Sequence, residues 1–374
     1  MKKILYVHVG TTKTGTTAIQ SFCIGNEELL NQKGYCYPLF PYRYQDVSNR
    51  RNARFMLEEA SDPAGGVFRE GMDKIRELFQ TYPNIIVSDE GIWSAPYEQR
   101  ITMWRALKAE AKEGGFRIRI IVYLRRQDTY LISGWNQMVK SGLGKGSGTP
   151  WQDYINDLVN INKMKYATHL NKLAAFFGKK NLIVRRFEPK HFVGGSIYAD
   201  FLQAVGLEMT DEFQIEQSVR NERLAGNTHE IQRVLNAMPG MSGEYHSFFR
   251  QALLSYAELS GQIYPCEMFS KEEANAFMEK YRAENQEVAD EFFGGGELFD
   301  TSWKDIPKWE KDNPYMQDDL IRFVGACCVK LIEENRTLCS RVEILERSQN
   351  ILQHPVYTIM KRRAAAKAKE KQQP

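Results

Sequence analysis

Residues 4–17 read ILYVHVGTTKTGTT, and the fold is decided in them. Ile4 to Val9 is a short run rich in β-branched and aromatic residues, the composition of a strand buried on both faces of a parallel sheet. It runs straight into Gly10 and a polar turn. From Thr16 to about Asn31 the residues Ile19, Phe22, Cys23, Leu29 and Leu30 recur at helical spacing, with Gly34 near the end. Strand, glycine-bearing turn and helix together make a geometry for holding an anion. The N–H groups of the turn and of the first helical turn point at the ligand, and the helix dipole adds to them. Gly10 and Gly15 permit the tight path, Lys13 supplies a positive charge, and Thr16 and Thr17 offer hydroxyl donors.

The alternation continues outward from this stretch. Residues 68–80 have helical spacing, Asn84 to Ser88 (NIIVS) is a second buried strand, and 97–112 is an amphipathic helix closed by Gly114 and Gly115. Arg117 to Leu124 (RIRIIVYL) is the strongest strand pattern, with a helix from about Asp128 to Lys140 behind it. A glycine-rich loop at 142–150 separates that helix from another at 151–177, and Asn181 to Arg185 (NLIVR) is a further strand. Strands alternating with helices predict an α/β fold: a P-loop-like parallel sheet flanked by helices. Beyond about residue 207 the strand signal fades, which predicts a mainly helical C-terminal extension. The expected divisions are an α/β core over 1–207, a helical part of the same catalytic domain over 208–315, and a long helix with a basic tail over 316–374.

Composition narrows the function classes. The 374 residues are 43% hydrophobic and 12% aromatic, enough to build a large core. The net charge of +3 gives no footprint of a general nucleic-acid binder. Cys23, Cys36, Cys266, Cys327, Cys328 and Cys339 show neither CxxC spacing nor the density of a disulfide framework, so reduced thiols in a cytoplasmic protein are expected. The six histidines form no ligand pair, so no metal is expected. The apolar run at Ile4–Val9 is too short for a secretory signal, and no stretch approaches the roughly 20 apolar residues of a membrane span.

The loop departs from the Walker A pattern GxxxxGK[ST], which would place lysine at position 16, where this chain has threonine. Its lysine lies inside the loop, at 13. TKTGTT, Thr12 to Thr17, resembles the 5′-phosphosulfate loop of sulfotransferases that use 3′-phosphoadenosine 5′-phosphosulfate (PAPS). The resemblance implies that Lys13 contacts the bridging oxygen of the donor, and that Thr12, Thr14, Gly15, Thr16 and Thr17 hold the 5′-phosphate. That family carries a second mark, an arginine at a later strand end and a serine eight residues on, both binding the 3′-phosphate. Here the strongest strand ends in YLRRQDTYLIS, with Arg125 and Ser133 eight apart. Arg125 would emerge at the carboxyl edge of the sheet, where open α/β folds bind ligands, and its fork can grip a phosphate with two parallel bonds. Arg126, the adjacent arginine, stands seven from Ser133.

Segments RRFE at 185–188, GGSIYADFLQAVGL at 194–207 and YRAENQEVADEFFGGGELF at 281–299 are similar to the bacterial branch of that family that acts on carbohydrates. The resemblance implies an acceptor that is a carbohydrate or another hydroxyl-bearing molecule, a donor contact from Arg185, and adenosine 3′,5′-bisphosphate as product. Asn221 lies where relatives show Asn-x-Ser, but Arg223 replaces the serine and Asn221 receives no role.

Sulfuryl transfer needs a base for the acceptor hydroxyl. The favoured candidate is Glu90, in IIVSDEG at the end of the second strand, with Asp89 expected on the opposite side of an extended segment. Asp89 and His8, the latter on the first strand, are the other candidates. IIVSDE also looks like a Walker B strand, which motivates a rival: a nucleotide kinase or NTPase with a non-standard Walker A loop, Thr17 and Asp89 sharing Mg²⁺. A non-catalytic binding protein built on the donor fold is a third reading.

Residues 317–352 form one long helical pattern. Leu331, Leu338, Leu345 and Leu352 recur every seven residues, with Cys328, Asn335, Val342 and Gln349 between them. That is a two-stranded coiled-coil pattern and motivates a homodimer, packing on the parent domain being the alternative. The tail then turns basic at Lys361, Arg362, Arg363, Lys367, Lys369 and Lys371 after Val356, Tyr357, Ile359 and Met360. This composition suits a peripheral contact with anionic membrane, the alternative being a solvated tail.

Overall fold

Among the described residues five strands form, all parallel: β1 (Ile4–His8), β2 (Tyr35–Cys36), β3 (Asn84–Ser88), β4 (Arg117–Leu124) and β5 (Leu182–Arg186), in the spatial order β2-β3-β1-β4-β5. The computed structural model describes residues 2–364 apart from 43, 45–46, 61–65, 143–145, 216–223, 225, 242, 261–266, 303–305, 354–355, 358 and 362. Asn221, the centre of the 142–150 loop and most of the basic tail therefore lie outside the described residues. The two-residue β2 has no sequence signal of its own and is held at the edge by pairing Tyr35 with Asn84 and Cys36 with Ile85.

The helices are α1 (Thr16–Gly25), α2 (Glu27–Gln32), α3 (Gly66–Leu78), α4 (Gly91–Ser94), α5 (Tyr97–Gly114), α6 (Gln127–Ser141), α7 (Trp151–Ile155), α8 (Leu158–Lys163), α9 (Tyr166–Phe177), α10 (Ile197–Val205), α11 (Asn227–Asn236), α12 (Gly243–Ser260), α13 (Lys271–Glu279), α14 (Arg282–Phe292) and α15 (Met316–Gln353). Two expected helices are broken. The one expected over 16–31 divides at Asn26, whose side chain turns away to bond the Gln214 backbone. The one expected over 151–177 becomes α7, α8 and α9, because the Asp157 side chain caps a new start by accepting from the amides of Val159 and Asn160. Among the described residues no helix is long and apolar enough to cross a membrane.

Strand alternation sorts the core into two layers. Leu5, Val7, Ile85, Val87, Ile120 and Val122 pack with Met72 and Ile75 of α3, Met103 and Leu107 of α5 and Leu170 of α9. Tyr6, Ile86, Ile121 and Tyr123 pack on the other face with Ile19 and Phe22 of α1 and Phe201 and Val205 of α10. Packed sheet residues of this size each contribute roughly 1.5–3 kcal/mol by burial.

The chain forms two compact units, Met1–Arg223 with Cys266–Trp309, and Leu224–Pro265 with Glu310–Pro374. They cut across the divisions expected at 207/208 and 315/316. The described residues of 266–309 pack with the sheet, where Val288 and Ala289 of α14 join the first core layer. Residues 224–265 instead join the long helix, through Leu224, Ile231, Ala252 and Leu253 against Phe323.

Candidate functional site

Ligand sites in open parallel sheets lie at the carboxyl ends of the strands, where successive connections leave in opposite directions. β1 is that point, since the chain first builds β2 and β3 on one side of it and then β4 and β5 on the other. The segment after β1 is stitched to β4 by backbone bonds from Val9 N to Ile121 O at 3.0 Å, Tyr123 N to Gly10 O at 2.7 Å and Thr11 N to Tyr123 O at 2.9 Å.

The turn is tight and unusual. Gly10 (φ 96°) and Gly15 (φ 72°) have positive φ, and among the described non-glycine residues Lys13 alone does, at φ 63°. That conformation costs an L-residue about 1–2 kcal/mol, and such outliers collect at ligand sites. Each glycine is also tightly enclosed, so that a side chain would force its neighbours to shift. A Cβ on Gly10 would lie 3.1 Å from the Glu90 Cβ, and one on Gly15 would lie 2.5 Å from Ile197 Cδ1. No side chain caps α1 at Gly15, so the amides of its first turn are open to an anion.

The threonines divide by role. Thr14 is fully buried, and its hydroxyl donates to the Thr11 carbonyl, bracing the turn from inside. The expected ligand contact from that hydroxyl is thereby corrected to a structural one. Thr12 Oγ1 bonds the Tyr130 hydroxyl at 2.9 Å. Thr16 is buried and Thr17 is exposed.

Lys13 Nζ donates to Gln137 Oε1 on α6 at 3.2 Å. Burial, then the Arg125 and Lys140 charges, hold its ammonium below the usual lysine range, and Glu90 opposes them. Arg125 comes to the same turn: Nη1 donates to the Lys13 carbonyl at 2.8 Å, and Nε donates to Thr129 Oγ1 at 3.2 Å. Its guanidinium also lies over the Phe187 ring, 5.6 Å from the centroid.

Ser133 is placed by its helix. Thr129, Tyr130 and Gln137 stand four before, three before and four after it, so all share one face of α6. Thr129 touches Arg125, Tyr130 touches Thr12 and Gln137 touches Lys13, which puts Ser133 on the stripe that faces the loop. Among the described residues its hydroxyl makes no hydrogen bond, and the side chain is half-buried. The loop, Arg125 and the Ser133 stripe thus converge.

Arg126 turns elsewhere. Its Nη1 donates to the Asp300 carbonyl at 2.8 Å, and its Nη2 lies 3.1 Å from Asp128 Oδ2. It lines a cleft of about 490 Å³ with α13, α14 and residues 297–301, distinct from the loop.

Glu90 lies behind Gly10, 18% exposed; it accepts from Gln20 Nε2 at 3.1 Å and pairs with Arg51 at 3.7 Å. Asp89 is fully buried, gripped by the Arg51 guanidinium and by the Gly91 amide at 2.6 Å. Burial pushes its carboxyl up, in spite of Arg51. The expectation that the two acids diverge is corrected: Glu90 has helical backbone angles (φ −66°, ψ −16°), so the segment is not extended there, and Arg51 reaches both. They differ in access instead, and only Glu90 has any.

His8 is also fully buried. Its Nδ1 bonds Ser88 Oγ at 2.9 Å, its ring packs on Tyr123 and Phe201, and burial alone pushes it down to about 3. A neutral ring sealed in the core cannot meet an acceptor. Gln20 Nε2 also donates to Ser88 Oγ at 3.1 Å, so a polar chain runs from His8 through Ser88 and Gln20 to Glu90.

Arg185 is not brought to the loop. It stands opposite Tyr123 in the β4–β5 register, and its guanidinium donates to Gln203 at 3.1 Å and lies 3.7 Å from Asp200, both on α10. Tyr123 donates to the same Asp200 at 2.8 Å. Sequence reasoning missed Gln20, Arg51, Tyr130, Gln137 and Phe187. Helical spacing about Ser133 is the signal for Tyr130 and Gln137; Arg51 has none.

No family model matches the chain. It is 27% identical over 217 residues to an uncharacterised protein of Archaeoglobus fulgidus, a match covering 58% of this chain and 57% of that one. The chain thus spans a little over half the length of that relative.

Proposed function

We propose that the protein is a sulfotransferase that moves the sulfuryl group of PAPS onto an acceptor hydroxyl, with a carbohydrate as the acceptor. One observation carries the reading: an uncapped helix start, Lys13, Arg125 and the Ser133 face of α6 meet at one strand end. Two groups of anion-binding side chains at one strand end suit an adenosine carrying phosphate at both ends. The loop amides with Thr12, Thr16 and Thr17 would hold the 5′-phosphosulfate, and Arg125 with Ser133 the 3′-phosphate. Burial and like charge that already press on Lys13 make an anion welcome there.

In the transfer, the acceptor oxygen attacks sulfur in line, and the bond from sulfur to the bridging phosphate oxygen breaks. Glu90 takes the acceptor proton, and Lys13 neutralises the charge that collects on the leaving oxygen, so adenosine 3′,5′-bisphosphate departs. No metal is assigned a part. Arg51 and Gln20 position Glu90 from behind.

The carboxylate that a Mg²⁺-dependent kinase would need after β3 is Asp89, which is sealed against Arg51, so the kinase reading gains nothing here. Titration calorimetry separates the two. Metal-free binding of adenosine 3′,5′-bisphosphate supports the proposal, and binding of ATP only with Mg²⁺ overturns it. Radiolabelled PAPS with candidate glycans then tests turnover; donor binding without turnover would indicate a binding protein.

A further inference from the structure

The α15 helix carries two separate stripes, one packed and one exposed. Asp319, Phe323, Cys327 and Lys330 recur at helical spacing and are buried or half-buried against α11 and α12, with Phe323 in the core of that unit and Lys330 over the Phe248 ring. A second stripe stands one position further on, roughly 100° around the helix. It runs Ile321, Val324, Cys328, Leu331, Asn335, Leu338, Val342, Leu345 and Gln349, alternating steps of three and four. Its apolar members Ile321, Val324, Leu331, Leu338, Val342 and Leu345 are between 50% and 67% exposed. From Leu331 to Gln349 every residue is exposed, so among the described residues of its own unit nothing covers that length. A helical segment of this kind has no tertiary support, and helices in water draw most of their stability from a packed face.

We infer that this stripe is the seam of a parallel two-stranded coiled coil with a second copy of the chain. The occupant follows from chemistry on the stripe. With the leucines at the d positions, Asn335 falls at an a position, where parallel strands set it against its own copy and each amide can satisfy the other. An antiparallel pairing would set it against a leucine and leave it unsatisfied. The flanking positions agree: Arg341 at g and Glu346 at the following e have opposite charge, and in a parallel pair each faces the other across the seam, twice by symmetry. Cys328, at the preceding a position, is exposed and would also meet its own copy.

Light scattering on the full chain is expected to give twice the 43.3 kDa of one chain. Leu338→Lys with Leu345→Lys should raise the dimer dissociation constant by about a hundredfold or more, while the circular dichroism of the remainder is kept, because these side chains stand 57% and 67% exposed on their own chain. Mild oxidation of a Cys327→Ser, Cys339→Ser chain should join two chains through Cys328. A monomer at all concentrations, a trimer or tetramer, or a dimer untouched by the double lysine variant overturns the inference. A dimer that fails to cross-link through Cys328 overturns the parallel arrangement.

Discussion

The Arg125 guanidinium donates from Nη1 to the carbonyl oxygen of Lys13 at 2.8 Å, tying the end of β4 to the middle of the turn after β1. The two residues are 112 apart in sequence, and each belongs to one of the two phosphate-binding patterns that the sequence suggests. Their contact makes those patterns neighbours at one strand end. It also gives the unusual φ of Lys13 a physical purpose, because turning the peptide is what presents that carbonyl to Arg125.

Replacing Arg125 separates the two phosphate positions. Arg125→Lys keeps a charge but loses the planar fork, so affinity for adenosine 3′,5′-bisphosphate should fall by about 10- to 100-fold, or about 1.4–2.8 kcal/mol. Affinity for adenosine 5′-phosphate should fall much less. Calorimetry with both nucleotides decides: equal losses would mean that Arg125 only braces the loop.

The acids at 89 and 90 should separate into chemistry and stability. Glu90→Gln preserves an acceptor for Gln20 but cannot take a proton, so kcat should drop by about 10²–10⁴-fold with little change in thermal unfolding. Asp89→Asn leaves Arg51 without its main partner and should cost about 3 kcal/mol of stability. Turnover assays beside urea unfolding check both; a Glu90→Gln enzyme with full kcat would remove Glu90 from the reaction.

What was legible in the sequence is what local chemistry dictates. NIIVS and RIRIIVYL form strands over the residues expected, since a dense β-branched run between turn residues has few alternatives. The meeting of the loop with Arg125 was legible because the end of β4 lies beside the turn after β1 in a parallel sheet. Arg185 stands apart from its expected place, because a strand-end position does not name a side chain's partner, and the register with Tyr123 puts its guanidinium beside Asp200 of α10. Arg51 was invisible: it reaches Asp89 across 38 residues from a segment with no motif, and only tertiary packing brings it there. Asn26 and Asp157 broke helices by side-chain bonds that periodicity does not register.

The loop should be intolerant at Gly15 for two separable reasons. Gly15→Ala meets Ile197 Cδ1 at 2.5 Å and must also hold φ at 72°, so a loss of about 2–4 kcal/mol is expected, with nucleotide affinity falling alongside. Ile197→Val removes the offending methyl. The double variant should recover most of the steric share, Phe187 Cε2 still standing 3.2 Å away, and leave about 1–2 kcal/mol for the backbone. Full recovery in urea unfolding would show that the left-handed conformation carries no cost there.

Acid sensitivity should trace to His8. Its ring is held at about 3 in the folded chain against 6.5 for a solvated histidine, because the folded core accepts only the neutral form. Between those two values the unfolded chain binds a proton there and the folded chain does not. Stability therefore rises with pH across that window: the contribution is complete above about 6.5 and is lost as pH falls toward 3, at most about 4–5 kcal/mol. His169, held down to about 4 by burial and then by Arg100, acts in the same direction. Asp89 acts in the opposite one, since its raised carboxyl lets the folded chain keep a proton above 3.8. Urea unfolding at a series of pH values should show the net slope, and His8→Asn, which keeps a donor toward Ser88, should reduce it by about one proton between pH 4 and 6. An unchanged slope in that variant would place the acid sensitivity in other groups.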